Sequence, residues 1–221
     1  MTAAGVPLTP QAPVGLDDTS GEGGSGGGTP GRDEHTELER RTAAYLDQLR
    51  DGISRIDAAE IAAAVHCFVK LSRRGGVGYV FGNGGSASTA AHFVNDINRT
   101  VALGGPAGLR VLCLNDNIPT ITAIANDFGY DEIFTRQLRN HFTPKDLVIG
   151  ISSRGHSPNV VEAVRYARSR GVETLGLVGY DGGALHRLAD RTVYIPVHDL
   201  RRVEDLHLAV CHMISALLLE A

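Results

Sequence analysis

Tryptophan is absent from the 221 residues, and aromatic residues make up only 5%. Platforms that stack single-stranded bases are built from such rings, so that mode of recognition is disfavoured. A cationic excess is missing too: 21 Lys and Arg stand against 25 Asp and Glu, a formal net charge of −4. Proteins that wrap duplex DNA or coat an anionic membrane need clustered positive charge. No apolar run approaches the ~18 residues of a membrane span. The opening MTAAGVPLTPQAPVGLDD lacks the basic start and apolar stretch of a secretory signal. Neither nucleic acid nor membrane is therefore an expected partner. Cysteine is scarce: Cys67, Cys113 and Cys211 sit singly in apolar surroundings with no CxxC. That pattern predicts buried free thiols in a reducing cytoplasm.

The first 33 residues contain GEGGSGGGTPGRD and four prolines, Pro7, Pro10, Pro13 and Pro30. So little apolar material cannot offset the entropy of ordering, and the spacing predicts a disordered tail over 1–33. Residues 34–221 read as one domain. From Glu34 the pattern is helical, with Leu38, Ala43, Leu46 and Leu49 near one face, then Ile56, Ile61, Val65 and Leu71 near another. Asp51-Gly52 suggests a kink or turn between two helices. Beyond Gly76, short β-rich runs alternate with helical stretches: 77–81, 109–114, 146–152, 173–179 and 191–197. Strands apolar throughout and separated by helices predict five parallel strands covered on both faces, a three-layer α/β domain with a helical N-terminal extension.

In such sheets ligands bind beyond the carboxyl ends of the strands. One such end is Phe81-Gly82-Asn83-Gly84-Gly85-Ser86, leading into a helix. Its glycines let backbone approach a ligand, and the helix start offers free N–H groups. It matches neither GxGxxG nor a Walker loop, and a tight turn with a serine cap explains the string equally well. A second end is Ser152-Ser153-Arg154-Gly155-His156-Ser157-Pro158. Three hydroxyls beside a cation and a helix start form a phosphate cradle. A cap would explain Ser157 alone, but not the other three. Asp181 in a third end reads as an ordinary Asp-Gly-Gly turn. Asn126-Asp127 breaks a helical stretch, either to cap it or to touch a substrate.

His92 and Asp96 are spaced i,i+4 and share a helix face. Glu204 and His212 lie eight apart in the last helix, on one side. Spacing alone does not separate a metal site from surface pairs, nor does it say whether the four groups converge.

The strings GNGGSASTAAHF, AIANDFGYDEIF, ISSRGHSPNVVEA, GYDGG and EDLHLAVCH occur in the order found in sugar isomerase (SIS) domains. Over residues 40–220 the chain most resembles the phosphoheptose isomerase family. The resemblance implies a flavodoxin-like sandwich and a homotetramer with active sites between subunits. It implies conversion of sedoheptulose 7-phosphate to a heptose 7-phosphate with a divalent metal, usually zinc. Its substrate contacts fall on Asn83, Gly84, Gly85 and the adjoining Ser86, on Asn126 and Asp127, and on Ser152, Ser153, Arg154 and Ser157. Its metal ligands fall on His92, Asp96, Glu204 and His212, with Asp96, Glu204 and His212 the expected catalytic groups.

Three positions depart from the family. Asp96 stands for a glutamate, Glu204 for a glutamine and Arg154 for a hydroxyl residue. These changes leave room for a longer substrate such as an octulose 8-phosphate. Arg154, GYDGG and TAIAND are also similar to the non-catalytic DnaA initiator-associating protein. That relative lacks the first-helix acid and the final histidine, both present here, so the sequence favours an enzyme.

Overall fold

The computed structural model describes residues 32–220, so the glycine- and proline-rich stretch expected to be disordered lies outside the described residues up to residue 31. The chain divides into two compact units, Met1–Arg41 and Thr42–Ala221. In the first, the described residues begin α1 (Arg32–Ser54), where Glu37 pairs with Arg40 at 2.8 Å in full exposure. Such surface pairs contribute little to stability.

The second unit is built on a parallel sheet of β1 (Val77–Gly82), β2 (Arg110–Cys113), β3 (Leu147–Ser152), β4 (Glu173–Gly179) and β5 (Arg191–Ile195). The strand order is β2-β1-β3-β4-β5, with every pair parallel. Side chains alternate across the pleat. Val80, Ile149, Ile151, Leu175 and Leu177 face a core shared with α2 (Ala58–Arg74), α3 (Gly85–Ala102) and α8 (Leu200–Leu218). Tyr79, Phe81, Val148 and Val178 face a second core under α5 (Ile133–His141), α6 (Pro158–Ser169) and α7 (Gly183–Leu188). Because both faces are covered, the strands are apolar throughout rather than alternating. Phe81 stacks on Phe134 at 4.6 Å, and Phe68 meets Phe93 edge-on at 5.5 Å.

Two local expectations shift. The break between the first helices comes after Ser54, not at Asp51-Gly52. Gly52 stays helical because it is a packing position: a Cβ there would lie 2.7 Å from Leu206 Cδ1 on α8. Asp57 then caps α2 by accepting from the Ala59 N–H at 2.8 Å. Asn126-Asp127 does not break its helix either. Both lie in the last turn of α4 (Ile118–Phe128), which ends at Gly129 with φ 97° before a 3-10 turn leads into α5. Among the described residues, no helix is long and apolar enough to cross a membrane.

Candidate active site

The order of strands reverses between β1 and β3, which opens a crevice at their carboxyl ends. The two loops predicted from sequence meet there. The Asn83 amide donates to Asn159 Oδ1 at 2.8 Å and Asn159 donates back to Asn83 Oδ1 at 2.9 Å. The Tyr130 hydroxyl also donates to Asn83 Oδ1, at 3.1 Å, bringing in the corner between α4 and α5. Asn115 fixes the base of the first loop, exchanging two hydrogen bonds with the Gly82 backbone.

Asn83, Ser86, Ser152, Ser153, Arg154 and Ser157 all line one cavity of about 210 Å³, together with Glu204. Ser157 occupies the N-cap position of α6 but does not cap it; its hydroxyl lies 3.1 Å from that of Ser152. The first turn of α6 is capped from within instead: Pro158 has no N–H, and the Val160 N–H donates to Asn159 Oδ1 at 2.9 Å. Ser153 Oγ is buried without any hydrogen-bond partner. Gly84 starts α3 at φ 53° and ψ −123°, a conformation that disfavours side chains with a Cβ. Gly85 has a different reason to be glycine: a Cβ there would lie 2.5 Å from the Glu204 carboxylate. That carboxylate thus sits over the start of α3, where the helix dipole favours negative charge.

Farther along the packed pair α3 and α8, a second cavity of about 470 Å³ is lined by His92, Asp96, Arg99, Thr100, His212 and Ser215. His92 Nε2 lies 2.9 Å from His212 Nε2 and 3.2 Å from Asp96 Oδ2, which is itself 3.4 Å from His212 Nε2. Asp96 Oδ2 is buried yet has no properly directed hydrogen bond. Ligand atoms held by a tetrahedral zinc at about 2.0–2.2 Å stand roughly 3.3 Å apart. The mutual spacing and the orphaned oxygen both fit a divalent ion held by these three side chains. Beneath them Cys211 is buried, and desolvation reinforced by the Asp96 charge pushes its thiol well above the usual range. Its sulfur is not among the ligand atoms that converge.

Of the four expected metal residues, three therefore converge and Glu204 does not join them. Of the expected substrate residues, Asn126 and Asp127 are exposed on α4, hydrogen-bonded to each other at 2.9 Å, and line neither cavity. Asn159, which locks the two loops, carried no assigned role in the sequence; its signal was a polar residue one step past the Ser-Pro helix start. Asp181 forms the expected turn, accepting from the Gly183 N–H at 3.3 Å.

A crevice of this kind at the switch point of a flavodoxin-like sheet marks an α/β protein whose ligand site lies at the carboxyl ends of its strands. Residues 44–179 match the SIS domain family. Phosphoheptose isomerase of Trichlorobacter lovleyi is 39% identical over 160 residues, 72% of this chain and 81% of that one. Phosphoheptose isomerase of Chlorobaculum tepidum is 38% identical over 197 residues, 88% of this chain and 92% of that one. The solved phosphoheptose isomerase of Neisseria gonorrhoeae superposes with a TM-score of 0.77 at 27% identity, covering 83% of this chain and all of that one. The chain belongs to the SIS domain family and, within it, to the phosphoheptose isomerase group.

Proposed function

We propose that the protein is a metal-assisted aldose–ketose isomerase that converts sedoheptulose 7-phosphate to D-glycero-D-manno-heptose 7-phosphate. The observation that carries this reading is the meeting of His92, Asp96 and His212 on the same helix pair whose starts frame the hydroxyl-rich cavity. Ser86 and His92 are six residues apart on α3, about 9 Å along its axis. A sugar phosphate held by its phosphate in the first cavity must be several carbons long to present its carbonyl end at the second.

Ser152, Ser153, Ser157 and Arg154 hold the phosphate and so fix the rest of the chain. Asn126 and Asp127 are assigned to the sugar hydroxyls, reached from the α4 corner that Tyr130 ties to Asn83. Glu204, between the phosphate loop and the cluster along α8, accepts from hydroxyls in the middle of the sugar. Isomerisation moves a proton between C1 and C2 and another between their oxygens. Asp96 takes the carbon-bound proton through Oδ1, since Oδ2 is the oxygen turned to the two histidines, and His212 passes a proton between the oxygens through Nδ1, since Nε2 is the nitrogen turned to the cluster. His92, Asp96 and His212 would hold a divalent ion, in our reading zinc, which would supply Lewis-acid polarisation of those oxygens. The same cluster weighs against a purely adaptor role, which has no use for it.

We further assign a homotetrameric, cytoplasmic protein whose neighbouring subunits complete the cleft. Leu217 and Leu219 are exposed apolar residues at the end of α8, and Leu219 borders the cluster cavity. Three free buried thiols suit a reducing compartment. The test is sedoheptulose 7-phosphate in D₂O with purified protein, followed by NMR and metal analysis. Deuterium entering at carbon together with a heptose product is expected; no exchange with metal-loaded protein overturns the reading.

A further inference from the structure

Tyr180 is the only non-glycine residue with a positive φ among the described residues, at 52°. That conformation is unfavourable for any side chain with a Cβ. It persists because neighbouring groups hold it: the Tyr180 N–H donates to the Val197 carbonyl at 3.1 Å, and its own carbonyl accepts the Tyr194 hydroxyl at 2.7 Å. The His198 ring meets Tyr180 edge-on at 5.5 Å. Glycine would satisfy this backbone without strain; the ring instead packs partly buried against the core.

Beyond that packing the ring has a charged neighbour. The Arg154 guanidinium carbon lies 5.1 Å from the Tyr180 ring centroid, within cation–π range. Among the described residues Arg154 has no ion-pair partner. The loops that carry the two residues share a frame. The Gly179 N–H donates to the Ser153 carbonyl at 2.9 Å, and the Leu185 N–H donates to the Gly155 carbonyl at 2.9 Å. On the cavity side of the same loop, the buried Ser153 hydroxyl is left without a partner. An exposed arginine on a free stem would lose rotamer freedom on each binding event; one already resting on a ring loses less.

We propose that Tyr180 is a positioning residue: its ring holds the Arg154 guanidinium beside Ser152, Ser153 and Ser157, so that the cavity offers a fixed cation to a phosphoryl group. This deepens the sugar-phosphate reading and takes its ligand from it. The strain at Tyr180 is offset by the hydrogen bonds to Val197 and from Tyr194, and the ring acts on the ligand only through Arg154.

The test is calorimetric titration of the full chain with inorganic phosphate, alongside kinetics on sedoheptulose 7-phosphate. Tyr180→Phe keeps the π face and is expected to bind phosphate within about twofold of the parent. Tyr180→Gly relieves the backbone but gives up the ring's packing on the core, so it is expected to melt a few degrees lower and to bind phosphate about fivefold more weakly. KM rises by a similar factor while kcat moves little. In an Arg154→Ala background, Tyr180→Gly is expected to add nothing. Should the glycine variant not fold, Tyr180→Leu serves the same comparison. Parental phosphate affinity without the ring, or an equal loss in the Arg154→Ala background, overturns the assignment, as does a parent that binds no phosphate. If the phosphate results hold while the parent isomerises no ketose phosphate, the isomerase reading falls and the role of Tyr180 stands.

Discussion

Asn83 and Asn159, 76 positions apart, exchange amide hydrogen bonds of 2.8 and 2.9 Å. Each amide thereby satisfies part of the other's donor and acceptor capacity at the bottom of the crevice. The pair locks the glycine-rich loop after β1 to the start of α6, and so sets the distance between the two hydroxyl-bearing segments.

Asn159→Ala should therefore cost more than a surface change. Asn159 is 1% exposed, and its removal leaves the Asn83 side-chain N–H and the Val160 N–H without their acceptor. A loss of about 1–3 kcal/mol in urea unfolding is expected, with a raised KM because the loops no longer hold one spacing. Unchanged stability and KM would show the pair to be dispensable.

Gly85→Ala places a methyl group where the Glu204 carboxylate now sits. The carboxylate is the far end of a flexible side chain and can swing aside, so the melting temperature should fall only slightly. Substrate affinity should drop, because Glu204 is pushed into the cavity it borders. Gly85→Ala combined with Glu204→Ala should be no worse than Glu204→Ala alone; additive losses in kcat/KM would rule out this contact as the cause.

Metal binding distinguishes the three-residue cluster from the four-residue set expected from sequence. His92→Ala and His212→Ala should each lower the zinc bound per chain, measured by mass spectrometry after dialysis. Glu204→Gln should leave it unchanged, since Glu204 stands apart from the cluster. Loss of zinc in Glu204→Gln would bring that carboxylate into the coordination sphere.

His207 gives the fold a pH dependence. Its ring is buried on α8, and desolvation lowers its pKa to about 4. The nearby Val178 backbone offsets part of this at a geometry too poor for a hydrogen bond, and neither ring nitrogen has a partner. Unfolded, the ring titrates near 6.5. Stability is full above that value and falls as pH drops toward 4, because the unfolded chain takes up the proton first. The loss amounts to about 3 kcal/mol across the interval. In His207→Phe the fall in unfolding free energy between pH 7 and pH 4.5 should be visibly smaller; an identical fall would place the sensitivity elsewhere.

Periodicity and short motifs already carried much of the fold. Apolar runs such as ETLGLVG, separated by helical stretches, required a sheet buried on both faces, and β4 falls on the residues read from the sequence. Ser157-Pro158 announced the start of α6, and the i,i+4 pair His92 and Asp96 announced one wall of the cluster. These are local facts, written by the pleat, by the helical turn and by the fixed φ of proline. What the chain order could not say was which distant groups meet. Spacing put Glu204 and His212 on one side of α8, yet His212 reaches Asp96 while Glu204 turns to the start of α3, because eight residues separate them by about 12 Å along the axis. Gly52 read as a break and is a packing contact, since its partner Leu206 lies 154 residues further on. The strain at Tyr180 and its approach to Arg154 exist only once β4 and β5 are paired and their loops are docked. Such relationships depend on packing between elements far apart in the chain, and only the tertiary structure decided them.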